Sequence, residues 1–97
     1  MRACKRDANH RDIVDALRAI GCSVADTGGA GDGFPDIVVG IPGNVILMEI
    51  KDGDKPPSAQ KLTPEQQIFH TEWRGPIHIV NSVARAISVV NEYRRGK

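Results

Sequence analysis

Pro35-Asp36-Ile37-Val38-Val39-Gly40-Ile41-Pro42-Gly43-Asn44-Val45-Ile46-Leu47-Met48-Glu49-Ile50-Lys51 decides how this chain folds. Two runs rich in Val and Ile, Asp36 to Ile41 and Asn44 to Lys51, flank the turn dipeptide Pro42-Gly43, so the stretch reads as a β-hairpin. A two-residue loop at Pro42-Gly43 and a four-residue loop from Ile41 to Asn44 give the same pairing rule, in which partner numbers sum to 85 and Asp36 faces Glu49. The longer loop is favoured, because Pro42 cannot take the positive φ that a type I′ turn demands. Apolar residues on both faces put the hairpin at the centre of a sheet.

Upstream, Ile13, Val14, Leu17 and Ile20 repeat at helical spacing, predicting a helix from His10 to Ile20 with Asn9 as N-cap and Gly21 at its end. Cys22 to Asp26 is expected as a strand, and Gly28-Gly29-Ala30-Gly31-Asp32-Gly33 as a loop whose backbone amides can approach a phosphate or simply connect. Downstream, Asp52 to Leu62 with Pro56-Pro57 is a long exposed loop. Thr63-Pro64-Glu65-Gln66 then carries the signature of a helix start, with Thr63 as N-cap, Pro64 at the first position and Gln66 closing a capping box. Phe69 and Trp73 are expected to point from that helix into the core, and Gly75 and Pro76 end it. Ile77 to Val80 reads as a strand, and Ser82 caps a last helix carrying Val83, Ala86, Ile87, Val90 and Tyr93. The order α-β-β-β-α-β-α describes one α/β (α+β) domain over residues 1–97.

Thirteen Lys and Arg against twelve Asp and Glu leave a net charge of +1, which excludes a polycation that coats nucleic acid indiscriminately. Any such affinity rests on local groups: Arg2, Lys5 and Arg6; Lys51, Lys55 and Lys61; or Arg94, Arg95 and Lys97. The two cysteines, Cys4 and Cys22, make neither a disulfide framework nor a four-ligand zinc site, and no apolar run reaches the length of a membrane span. A cytoplasmic protein without an organic cofactor is expected.

Alternation along a strand puts Glu49 and Lys51 on one face, with Asp36 across from Glu49 on that same face. Two carboxylates can hold Mg²⁺ or Mn²⁺ together with water and phosphate oxygens, and the Ile50 carbonyl is a candidate third ligand. Lys51, about 7 Å along the strand from Glu49, is a point donor suited to a developing phosphoryl charge. An ordinary charged strand end is the plainer explanation. The flanking Ile37-Val38-Val39 and Ile46-Leu47-Met48 argue against it, because buried like charges call for a cation between them.

With Pro35-Asp36 and Glu49-Ile50-Lys51 in this order, the chain resembles the PD-(D/E)XK nuclease superfamily. Within it, the chain is similar to small stand-alone VRR-Nuc proteins of phages and prophages and, more distantly, to Holliday-junction resolvases. The resemblance runs from the helix ending at Gly21 through Gly33-Phe34-Pro35-Asp36 and the hairpin to Leu62-Thr63-Pro64-Glu65-Gln66. It implies a restriction-endonuclease-like core, a mixed β-sheet flanked by helices. It also implies Asp36 and Glu49 as metal ligands, Lys51 as the catalytic lysine and Gln66 as an active-site residue, although the capping box competes for Gln66. His10 stands where a resolvase-like sequence carries a metal-binding or metal-water-binding Glu. DNA, including branched DNA such as four-way junctions and flaps, is the implied substrate. Lys55, Lys61, Arg11, Gly31 and Gly33 are candidate nucleic-acid contacts, and a homodimer is the expected assembly, with the apolar face of the last helix a candidate interface. His70 and His78 are expected to be structural or surface residues. Two other readings are a DNA-binding module on this fold that does not cut, and a nuclease subunit that depends on a phage partner.

Overall fold

The computed structural model describes residues 7–96; Arg2, Cys4, Lys5, Arg6 and Lys97 lie outside them. The chain forms an α+β domain with the expected element order: α1 (His10–Ala19), β1 (Ser23–Asp26), β2 (Ile37–Ile41), β3 (Asn44–Ile50), α2 (Pro64–Glu72), β4 (Ile77–Val80) and α3 (Val83–Arg94), plus a 3₁₀ turn at Pro57–Gln60. The four strands lie in the order β1-β2-β3-β4. β1 and β2, and β2 and β3, pair antiparallel, while β4 joins β3 in parallel after the α2 crossover. No helix among the described residues is long and apolar enough to cross a membrane.

Every β2–β3 pair obeys the expected register, from Ile37 with Met48 to Ile41 with Asn44. Because Ile41 and Asn44 pair directly, the loop is Pro42-Gly43 alone, not the four-residue loop. Gly43 has a φ of 82°, and Pro before a positive-φ Gly is the signature of a type II turn. The proline that forbids a type I′ turn is thus accommodated by another two-residue geometry.

The two faces of the sheet are used differently. Ile37, Val39, Ile41, Ile46, Met48, Ile50 and Val80 form one core with Ile13, Val14 and Leu17 of α1 and Ala86, Val89 and Val90 of α3. The apolar face of α3 is therefore spent on the core and is not the free surface that a dimer through it would need. Leu47, Glu49 and Lys51 alternate onto the opposite face, which α2 meets through Gln66 while Val45 on it stays exposed. α2 itself buries no residue: Phe69 is half-buried and Trp73 is 42% exposed. Rather than entering the core, these rings stack on each other at 5.4 Å, and Phe34 meets Phe69 edge-on at 5.2 Å.

Local signals set the helix ends. α1 closes with Cys22 N–H donating to the Leu17 carbonyl, Gly21 N–H donating to Arg18, and Gly21 at a φ of 96°, a Schellman motif. Its other end departs from expectation, since the Asn9 side chain makes no capping bond and instead donates Nδ2 to the carbonyls of Lys51 and Asn81, each at 3.1 Å. That side chain ties α1 to the strand end where the acidic residues gather. Ser82 caps α3 through Arg85 N–H, and His78 Nε2 meets the Tyr93 hydroxyl at 2.7 Å, a structural role as expected.

Gly33 fixes how α2 meets the sheet. Its φ is 78°, and a Cβ there would run into the Glu65 carbonyl and crowd the Gln66 nitrogen. Gly31 has the same φ, but a Cβ there would meet nothing. Gly33→Ala should therefore cost about 1–3 kcal/mol more than Gly31→Ala in urea unfolding, because both carry the backbone strain and only the first adds a clash.

Candidate active site

Asp36 stands one residue before β2 and is held from two sides. Its carbonyl accepts from Thr27 N–H at 2.8 Å, and its Oδ2 accepts from Ile50 N–H at 2.8 Å. The register continued by one step places Asp36 opposite Glu49, as the hairpin rule requires. Glu49 is 2% exposed and Lys51 8% exposed, so two charged residues lie inside an apolar strand end.

Gln66 joins them. Its Nε2 donates to Glu49 Oε2 at 3.0 Å, and its Oε1 accepts from Lys51 Nζ at 3.0 Å. The same Oε1 accepts from Thr63 N–H at 2.9 Å while Thr63 Oγ1 accepts from Gln66 N–H, so the capping box is complete. Sequence reasoning set the cap against the site role, but a carboxamide has two acceptor lone pairs and two donors and serves both. The cap locks the first turn of α2, and the locked turn presents the amide to Glu49 and Lys51.

The electrostatics centre on Glu49. Burial, then the negative charge of Asp36, push its carboxyl from the usual 4.5 up to about 8, against the lowering pull of Lys51. Lys51 Nζ lies 3.8 Å from Glu49 Oε2. Glu49 Oε1 is buried and finds no hydrogen-bond partner among the described residues. An orphaned carboxylate oxygen beside a second carboxylate is the environment a divalent cation satisfies, at the cost of the proton that otherwise occupies it. No cluster of three or more His, Cys, Asp or Glu suited to a metal occurs among the described residues. Asp36, Glu49 and the Ile50 carbonyl are the candidate oxygen donors here, fewer than a complete coordination shell, which water and phosphate would have to fill around an ion such as Mg²⁺.

His10 does not join this group through Nε2, which lies 3.1 Å from Asp26 Oδ2. From the α1 end it is Asp7 whose charge adds to the rise of the Glu49 pKa, in the turn where His10 N–H donates to the Asp7 carbonyl. Counting back from Gly21 stays within the helix and misses this residue. Its only sequence signal is an acid just ahead of the helix start.

The expected nucleic-acid contacts are spread around this centre. Lys55 Nζ is 3.7 Å from Asp7 Oδ1, Arg11 makes an exposed pair with Asp15 at 3.6 Å, and Lys61 is exposed. Asp7, His10, Arg11 and Asp26 line an open cleft of about 340 Å³. Gly31 is exposed, whereas Gly33 is occupied by its contact with α2. Comparison with protein-family models, curated proteins and solved structures finds no match to this chain.

Proposed function

We propose that this domain is a divalent-metal-dependent endonuclease that hydrolyses phosphodiester bonds in DNA. The observation that carries the reading is the buried Glu49 beside the half-buried Asp36, with a Glu49 oxygen that has no partner among the described residues and with Lys51 held beside it by Gln66. A protein gains no stability from burying one carboxylate against a second, which makes a task for them the better explanation. The restriction-endonuclease-like fold and membership of the PD-(D/E)XK superfamily are part of this proposal, supported by the hairpin register, the Pro35-Asp36 and Glu49-Ile50-Lys51 order, and Gln66 at the start of α2.

Asp36 and Glu49, with the Ile50 carbonyl, would hold Mg²⁺ or Mn²⁺. When bound, such an ion supplies hydroxide near neutral pH and neutralises charge on the phosphate. Asp36 is kept in place by Ile50 N–H, so its second oxygen stays available. Gln66 fixes Glu49 through Oε2 and leaves Oε1 for a ligand. Lys51 directs its remaining protons toward the phosphate. Lys55, Lys61 and Arg11 would supply local positive charge, because a net charge of +1 offers little long-range attraction.

Branched DNA, a homodimer with two sites, and the cytoplasm of a bacterial or phage-infected cell complete the reading, on the resemblance to VRR-Nuc proteins and junction resolvases. The test is a panel of supercoiled plasmid, single strand, flap and four-way junction, incubated with Mg²⁺ or Mn²⁺. Cutting of at least one substrate that chelator abolishes is expected. Binding without cutting under either metal would select a non-cleaving module instead, and cutting only on adding a partner would select a dependent subunit.

A further inference from the structure

His70 stands four residues beyond Gln66, one turn further along the same face of α2, the face that meets Glu49 and Lys51. Its Nε2 is buried and has no hydrogen-bond partner among the described residues. Burial and the nearby Lys51 ammonium hold the imidazole below its ordinary 6.5. The ring is neutral at pH 7, and one of its nitrogens is then an acceptor. Lys51 has three N–H donors, of which Gln66 Oε1 takes one at 3.0 Å; Glu49 Oε2, at 3.8 Å, lies beyond a hydrogen bond. An unpartnered imidazole nitrogen, an acceptor in one of the two neutral tautomers, and an under-used donor thus lie on one side of the sheet, and each is stabilised by finding a partner. A bound water with partners on both sides resolves such a pair.

We propose that His70 is a positioning residue for Lys51: its unprotonated Nε2 accepts, through one bridging water, a hydrogen bond from Lys51 Nζ and so fixes the direction in which the ammonium meets a phosphate. This rests on the nuclease reading for its consequence, though not for the contact itself. Gln66 and His70, stacked on one helix face, then hold the ammonium from two sides. A lysine stem alone has four rotatable bonds and no such constraint.

The experiment has two arms. In cleavage assays, His70→Phe keeps a ring of similar shape and removes the acceptor, and kcat should fall about 10–100-fold, the loss typical of supporting hydrogen bonds around a metal site. KM should stay within about threefold, since binding is not what the water serves. His70→Gln, whose amide reaches a position near Nε2, should recover most of the rate, and His70→Phe should add little to Lys51→Ala because the two act as a unit. In the second arm, side-chain nitrogen NMR should find His70 with Nε2 unprotonated at pH 7, and its resonances should move in Lys51→Met. Full kcat in His70→Phe, a protonated Nε2, or resonances indifferent to Lys51→Met would each overturn the proposal. Should the wild type cut no DNA, the nuclease reading falls, and the nitrogen spectra alone decide the contact.

Discussion

Lys51→Ala and Asp36→Asn are each expected to reduce DNA cleavage by about a hundredfold or more while leaving DNA affinity within a few-fold of wild type. The estimate for Lys51 follows from the cost of removing one preorganised donor aimed at developing charge, about 10²–10³ in kcat. Lys51 is 8% exposed and fixed by Gln66, so it acts as a preorganised group rather than a mobile surface ammonium. Asp36→Asn keeps the shape and an oxygen able to accept from Ile50 N–H at the strand end. It removes the charge, and with it most of the attraction for a hard cation. It also relieves Glu49, whose high pKa owes part of its rise to Asp36. Titration of the variant should therefore find Glu49 ionising at lower pH even as metal affinity falls. Equal cutting by wild type and both variants would remove the assignment, and the pairing of two unlike substitutions guards against a contaminating nuclease.

The sequence disclosed the hairpin and hid the neighbourhood around it. Register was legible because side-chain alternation and an even loop length leave one pairing rule, and the structure keeps that rule through five residue pairs. The caps were legible for the same local reason: Gly21, Thr63 and Ser82 act on atoms three residues away. The turn departs from the expected four-residue loop because Pro-Gly also encodes type II, with Gly43 at positive φ. What escaped depended on tertiary placement. The charge of Asp7 is felt at Glu49, and the start of α1 is tied by Asn9 to Lys51 and Asn81, contacts separated by 42 and 72 residues. His10 and Asp26 meet only once β1 is packed beside α1. Gln66 serves cap and site together because its carboxamide has lone pairs and protons enough for both, which no sequence pattern encodes. His70 carried no signal until the buried strand end gave its position a meaning. Size and spacing point Phe69 and Trp73 to the core, but α2 meets the sheet on the side opposite the main core and these rings stack on each other.

Glu49→Gln should stabilise the metal-free protein at alkaline pH and flatten its pH dependence. The buried carboxyl is raised to about 8 in the fold, from about 4.5 when free. Below pH 4.5 both folded and unfolded chains hold the proton, and the folded state suffers no ionisation penalty. Between 4.5 and 8 the unfolded chain releases the proton while the folded chain retains it, so stability falls as pH rises, and above 8 the loss is complete. Glutamine keeps an acceptor for Gln66 and cannot ionise. At pH 8.5 the variant should be more stable by at least about 1 kcal/mol, which moves the melting midpoint by about 4–8 °C in a domain of this size. His70 and His78 are both held below the usual imidazole range and add stability as pH rises. They are present in both proteins and cancel in the difference, which is therefore the quantity to measure by calorimetry from pH 5 to 9. Mg²⁺ or Mn²⁺ should reverse the ranking at pH 8.5, raising the wild-type midpoint through a ligand that the variant lacks. Parallel wild-type and variant curves across this range would show that Glu49 ionises as an ordinary carboxylate, and the strained pair on which the functional reading depends would then not exist.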